Sequence, residues 1–242
     1  MTTLASGWAD TEASIRLRRG AGGSVRVDGT LCTAPLWFRW DGATLWLVGS
    51  GASPAGEDQI SVRVDVGPDV NVRVRSVAAT VVYAARGGGT RWRTELTIAE
   101  GACVDWRPEP VIVTARARHD AMTTVHASAD ASVTLDETLV LGRVGEDAGA
   151  LRATLDVRVD DTPTVLTSID TSIPGWSGPA GVDGANVVAN RLRLGRENTT
   201  IGAGSRGRGA ALLQPAPGCR LAVATARDVA DAYLSLDALL PV

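Results

Sequence analysis

The sequence predicts an all-β-dominated fold, a single β-rich domain of many antiparallel strands closed by a C-terminal helix. Three observations lead there. Apolar and polar residues alternate with a period of two through most of the chain, the mark of half-buried strands. Gly, Pro and Asp interrupt these runs about every ten residues, the spacing of antiparallel all-β folds. Only the segment from Asp228 onward changes to helical periodicity.

Taken in order, the alternating runs place strands at residues 24–30, 44–48, 59–66, 70–75, 91–98, 111–116, 124–129, 132–141, 151–159 and 165–169. Gly67-Pro68-Asp69 and Asp160-Asp161-Thr162-Pro163 read as turns. Gly87-Gly88-Gly89 reads as a flexible loop between strands, and residues 174–184, rich in Gly and Pro around Trp176, as a surface loop. At the C-terminus Val229, Ala232, Tyr233, Leu236, Leu239 and Leu240 fall on one helical face, with Asp228 as N-cap and Asp231 in the first turn. That helix either packs on the sheet or docks a partner. No Pro/Ser-rich linker divides the chain, so residues 1–242 are expected to form one domain.

Composition narrows the chemistry. Of 242 residues 45% are hydrophobic and 21% charged, and all 24 basic residues are Arg. Without Lys there is no Walker A phosphate clamp, no Schiff-base amine and no kinase strand lysine. The net charge of −3 argues against nucleic acid as a partner. Arg alternates with Val, as in Val72-Arg73-Val74-Arg75, the pattern of a solvated strand face. Cys32, Cys103 and Cys219 are widely spaced and odd in number, which suits a reducing compartment. The first residues carry neither a basic nor an apolar signal region, and no run is long enough to span a membrane. A cytoplasmic location is therefore expected, with the Asn198-Thr199-Thr200 sequon unused.

Several constellations are decoys. Gly202-Ala203-Gly204-Ser205-Arg206-Gly207 spells G-x-G-x-x-G, but no βαβ pattern surrounds it. His119 and His126, the two histidines, are seven apart; on one strand they face opposite ways and share no metal. Adjacent acid pairs on strands also diverge. Glu137 is the odd residue. It shares the parity of Leu135 and Leu139, so its carboxylate belongs to an apolar face, where it must be paired, bonded or hydrated. It is either half of a buried ion pair with an Arg or a carboxylate lining a polar channel.

Four segments in order carry a family resemblance. They are Gly49-Ser50-Gly51 through Gly56-Glu57-Asp58-Gln59-Ile60, then Val77-Ala78-Ala79-Thr80-Val81-Val82-Tyr83, then Val104-Asp105-Trp106-Arg107-Pro108-Glu109-Pro110-Val111-Ile112, then Glu137-Thr138-Leu139-Val140-Leu141-Gly142-Arg143-Val144-Gly145-Glu146. Together they resemble the urease accessory protein family UreD, also called UreH. The Pro174-Gly175-Trp176 loop extends the likeness. In this chain Glu57 stands where the family pattern has Gly, and Val82 where it often has Lys or Arg.

The resemblance implies a non-enzymatic scaffold. It would bind the urease apoprotein with UreF and, through the complex, UreG, and pass Ni²⁺ along an internal polar tunnel. Matching motif to motif, Asp58, Thr80 and Glu137 are candidates to line the nickel path. Tyr83, Arg143, Glu146 and Trp176 are candidate motif or partner contacts. No tight metal site and no tightly bound cofactor are expected, only transient Ni²⁺ passage, since a relay needs few, spaced ligands. The Gly142-Arg143-Val144-Gly145-Glu146 turn is expected to be an Arg–Glu structural clamp, with a partner contact as the competing role. Two other readings compete with the scaffold. One is a carbohydrate- or protein-binding β-sandwich using the seven Trp residues. The other is a hydrolase built on His119 or His126, for which no nucleophile motif exists.

Overall fold

The computed structural model describes residues 10–84, 87–195 and 209–242. In chain order the described strands are β1 (Asp10–Arg19), β2 (Val25–Cys32), β3 (Leu36–Trp40), β4 (Thr44–Gly49), β5 (Gln59–Val66), β6 (Asn71–Ser76), β7 (Thr80–Val82), β8 (Thr90–Ile98) and β9 (Cys103–Trp106). They continue with β10 (Val111–Val113), β11 (Arg118–Ala127), β12 (Ser132–Leu141), β13 (Ala150–Val159), β14 (Thr162–Asp170), β15 (Val187–Leu194), β16 (Ala210–Ala216) and β17 (Cys219–Ala226). One α-helix, α1 (Val229–Leu239), follows. The all-β character and the C-terminal helix are as the sequence predicts. The G-x-G-x-x-G run and the sequon lie outside the described residues.

The expected antiparallel arrangement is not what forms in the centre. One sheet runs β14-β13-β11-β8-β5-β1-β2, and β1, β5, β8, β11 and β13 are mutually parallel neighbours. The other runs β16-β17-β15-β12-β9-β6-β4-β3, with β4, β6, β9 and β12 parallel. Antiparallel pairing is confined to the flanks, as in β1–β2, β13–β14 and β12–β15. The cause is the path of the chain. β5 lies in the first sheet, β6 in the second, β8 in the first, β9 in the second, and so on through β13. A parallel pair needs a crossover, and here the intervening strand of the opposite sheet supplies it.

Successive coils stack through their turns. Ala99 N donates to Val66 O, Ser128 N to Ile98 O and Asp160 N to Ala127 O. Gly-Pro-Asp chemistry makes a chain reversal in either case, so turn residues alone do not distinguish a hairpin from a step between sheets. The expected strand at 111–116 ends at Val113, because Arg116 adopts φ 64° in the turn before β11. The strand expected at 124–129 begins six residues earlier, at Arg118.

The principal core lies between the sheets. It is built from inward positions such as Leu17, Val66, Ile98 and Ala127 on one side and Val72, Val104, Val133 and Leu194 on the other. A second cluster, Val82, Val113, Leu139, Leu151 and Val188, holds the end near β7 and β10. α1 covers the outer face of the second sheet, burying Ala232, Leu236 and Leu240 against Val187, Ala189, Ala222 and Ala224. Of the two roles open to the helix, packing on the sheet is the one its buried face fulfils. Asp228 caps it by accepting from Asp231 N at 2.9 Å.

Candidate functional site

The inward face of the first sheet grades from aliphatic to polar along the strands. The register aligns Leu17, Val66, Ile98, Ala127 and Val159 in one layer, and Ile15, Val64, Leu96, Val125 and Val157 in the next. Beyond them come Ala13, Val62, Thr94, Thr123 and Leu155, then Thr11, Ile60, Trp92, Ala121 and Ala153. Last is Thr90 beside His119 and Leu151. Thr11, Thr90, Thr94, Thr123 and His119 are all buried. Small and polar side chains leave the space between the sheets unfilled there. The result is a cavity of about 420 Å³, walled by both sheets and entered between Gly49–Ser53, Ser76–Thr80 and Tyr83.

Glu137 enters this cavity from β12 of the opposite sheet. Burial pushes its carboxyl up to about 7, against a hydrogen bond from Thr123 that stabilises the charged form. Among the described residues no Arg pairs with it. The buried ion pair that was one reading of Glu137 belongs instead to its neighbour. Asp136 faces outward and accepts from Arg191 Nε and Nη2, both at 2.8 Å, with both residues buried. Arg191 also donates to Asp237 Oδ1 at 2.6 Å and Leu240 O at 3.0 Å, tying the helix to the sheet. Adjacent carboxylates on one strand thus take opposite fates, because successive side chains point to opposite faces.

Thr80 lines the cavity, and Tyr83, 44% exposed, stands at its mouth. Asp58 does not line it. Its Oδ2 accepts from Ser53 Oγ at 2.7 Å and Ala55 N at 3.0 Å, so it fastens the 53–58 turn instead. The glycine loop is likewise anchored. Gly88 N donates to Glu57 Oε1 at 2.6 Å, and a Cβ on Gly89 would stand 2.8 Å from the Arg118 Cβ.

Arg143 and Glu146 form a 2.5 Å ion pair across the turn after β12. Glu146 also accepts from Arg143 N and Ala115 N. These hydrogen bonds, chiefly that from the Arg143 side chain, hold its carboxyl down at about 2. The turn needs Gly142, which has φ 89° and whose Cβ would sit 2.8 Å from the carbonyl oxygens of Glu146 and Asp147. Val144 at its tip is fully exposed. Trp176 is half-buried against the second core cluster, which anchors its loop.

Sequence reasoning missed His119 as a cavity residue. Its Nδ1 lies 2.7 Å from Thr90 Oγ1, and burial, the largest influence, lowers its pKa to about 4. The available signal was parity, since His119 is an even number of residues from Thr123 and Val125. His126 lies on the opposite face of β11, as its odd separation requires. The described tryptophans form no single platform. Trp92 and Trp106 belong to the cavity wall, while Trp37 and Trp46 donate to Ser50 and Asp41. Among the described residues there is no helix long and apolar enough to cross a membrane, and no group of three metal-ligating side chains.

Comparison with known proteins gives these residues a context. The family model described as UreD urease accessory protein matches residues 11–240. A urease accessory protein UreD of Frankia casuarinae is 36% identical over 166 residues, 63% of this chain and 52% of that protein, so the match spans about half of the relative. One from Parafrankia sp. is 28% identical over 211 residues, covering 76% of this chain and 71% of the relative. One from Streptomyces coelicolor is 32% identical over 196 residues, covering 78% and 77%. The chain belongs to the UreD family of urease accessory proteins.

Proposed function

We propose that this UreD-family chain serves urease maturation in the cytoplasm as a non-catalytic scaffold. It binds the urease apoprotein together with UreF and, through the complex, UreG, and it lets Ni²⁺ pass through the cavity between its sheets. The observation that carries this reading is Glu137, a carboxyl without an ionic partner among the described residues, held in a cavity whose wall is mainly apolar. A carboxylate with no partner costs stability when buried, and a passing cation is the partner that would offset that cost. The spacing suits transit rather than storage. Thr80, Thr94 and Thr123 offer hydroxyl oxygens, weak ligands that keep a hydrated ion in motion.

The hydrolase reading draws no support from His119. Thr90 Oγ1 has Arg118 O at 3.3 Å as its own acceptor, so the ring nitrogen donates to the hydroxyl instead of taking its proton.

The test is co-expression with urease subunits and the UreF- and UreG-type proteins. Glu137→Gln should co-purify with all partners while nickel per urease falls several-fold. Normal nickel loading by that variant would overturn the path, and failure of the wild-type chain to co-purify with urease would overturn the scaffold.

A further inference from the structure

We propose that His119 is a second donor along the cavity, presenting its Nε2 lone pair to a borderline divalent cation such as Ni²⁺. The proposal rests on the reading of the cavity as a metal path.

The hydrogen-bond network assigns the tautomer. Thr90 Oγ1 has two neighbours in range, Arg118 O at 3.3 Å and His119 Nδ1 at 2.7 Å. A carbonyl only accepts, and a hydroxyl has one proton. Both contacts are satisfied only when Thr90 donates to Arg118 O and His119 Nδ1–H donates to Thr90. Nε2 is then the unprotonated nitrogen. It has no hydrogen bond among the described residues, and the ring, 4% exposed, lines the cavity. A metal-ligating histidine has the same arrangement, with one nitrogen anchored through its N–H and the other free. Burial keeps the ring uncharged at neutral pH, so the lone pair stays available.

His119 and Glu137 are separate stations. Glu137 meets Thr123, four residues along β11 from His119 on the same face. Four residues of strand set their anchor points on β11 about 13 Å apart, and no group of three metal-ligating side chains forms among the described residues. Each station therefore supplies one protein ligand, and water completes the shell. Imidazole and carboxylate both suit Ni²⁺, and single-ligand stations hold it weakly enough to release it.

The test uses the full chain uniformly labelled with ¹⁵N, so that histidine ring nitrogens and backbone amides are both read. With only His119 and His126 present, the ring spectrum has two sets of signals. The metal-free spectrum should show His119 as the Nδ1–H tautomer. Addition of Ni²⁺, which is paramagnetic, should broaden the His119 ring signals beyond detection, and should still do so in His126→Gln. An Nε2–H tautomer, or His119 signals that survive Ni²⁺ while the Thr94 and Thr123 amides broaden, would overturn this proposal and leave the cavity path standing. Cavity signals untouched throughout would overturn both.

Discussion

Replacing Glu137 with Gln should make the protein more stable at pH 8 while impairing nickel transfer. The carboxyl titrates at about 7 in the folded chain against an ordinary 4.5. The folded state therefore holds that proton more tightly than the unfolded state. The sign follows from linkage. Its contribution is fully present below about pH 4.5 and is lost as the pH rises through about 7. At about 1.4 kcal/mol for each pH unit of difference, the loss reaches at most about 3 kcal/mol by pH 8. The water that the cavity admits lowers this figure.

Glutamine has the shape of the protonated acid and never ionises, so the variant avoids the loss. His119 faces the same cavity and works in the opposite sense. Held at about 4, it favours the folded state above its ordinary 6.5, and that stability is lost as the pH falls towards 4. It is common to both proteins and cancels in the difference. Urea unfolding at pH 5 and pH 8 should show Glu137→Gln gaining on wild type by up to about 2 kcal/mol between the two. A variant less stable than wild type at pH 8, or a difference independent of pH, would refute the account of Glu137 as a desolvated cavity carboxyl without a charge partner.

The neighbouring carboxylate should respond in the opposite way. Asp136→Asn leaves the buried Arg191 with Asp237 as its one carboxylate partner, and should cost about 3 kcal/mol in urea unfolding, largely recovered when Arg191→Met is added. Glu146→Ala removes the acceptor shared by Arg143 and Ala115, and should loosen the 142–147 turn, read as faster amide exchange at Ala115, while Arg143→Ala leaves that amide protected by Glu146. Deleting residues 228–242 uncovers Ala189, Ala222 and Ala224 and removes Leu236 and Leu240 from the outer face, a loss of about 3–6 kcal/mol from the two leucines alone. That truncation should give insoluble chain, and a soluble, partner-competent product would show that the helix contributes little to the fold.

The alternation that predicts the strands is a property of each strand by itself, which is why strands with an unbroken period were readable, while β1 was not picked out and β11 was read six residues short at its start. Gln59–Val66 and Ser132–Leu141 come out as expected because every second residue is Val, Ile or Leu, with Glu137 the one exception. Pairing order is a property of the turns. Gly67-Pro68-Asp69 reverses the chain equally well within a sheet or between sheets, so the parallel coil was not legible. β3, β7 and β9 are too short to establish a period. For the site, parity placed Glu137 inside correctly. Asp58 lies off the cavity wall because an acid after a glycine-rich turn has two uses, and this one accepts hydrogen bonds from its own turn. His119 was hidden because Ala121, Met122 and Thr123 blur the alternation at the start of β11, and the strand looked shorter than it is.

The coil also explains why a cavity can exist without unfolding the protein. In a parallel stack each strand runs from one end of the coil to the other, so among β1, β5, β8, β11 and β13 one end of each strand meets the same end of its neighbours. Aliphatic residues at one end, Leu17, Val66 and Ile98 among them, close the sheets together, while Thr94, Thr123 and His119 at the other end hold them apart. The stabilising and the polar layers are separate sections of the same strands. The second sheet gains further support on its outer face from α1 and the Arg191–Asp136 pair, which lies directly behind Glu137. A polar interior carries a cost wherever it sits. Here it is confined to the end that opens to solvent, where water or a passing cation can satisfy the groups that the protein leaves without partners.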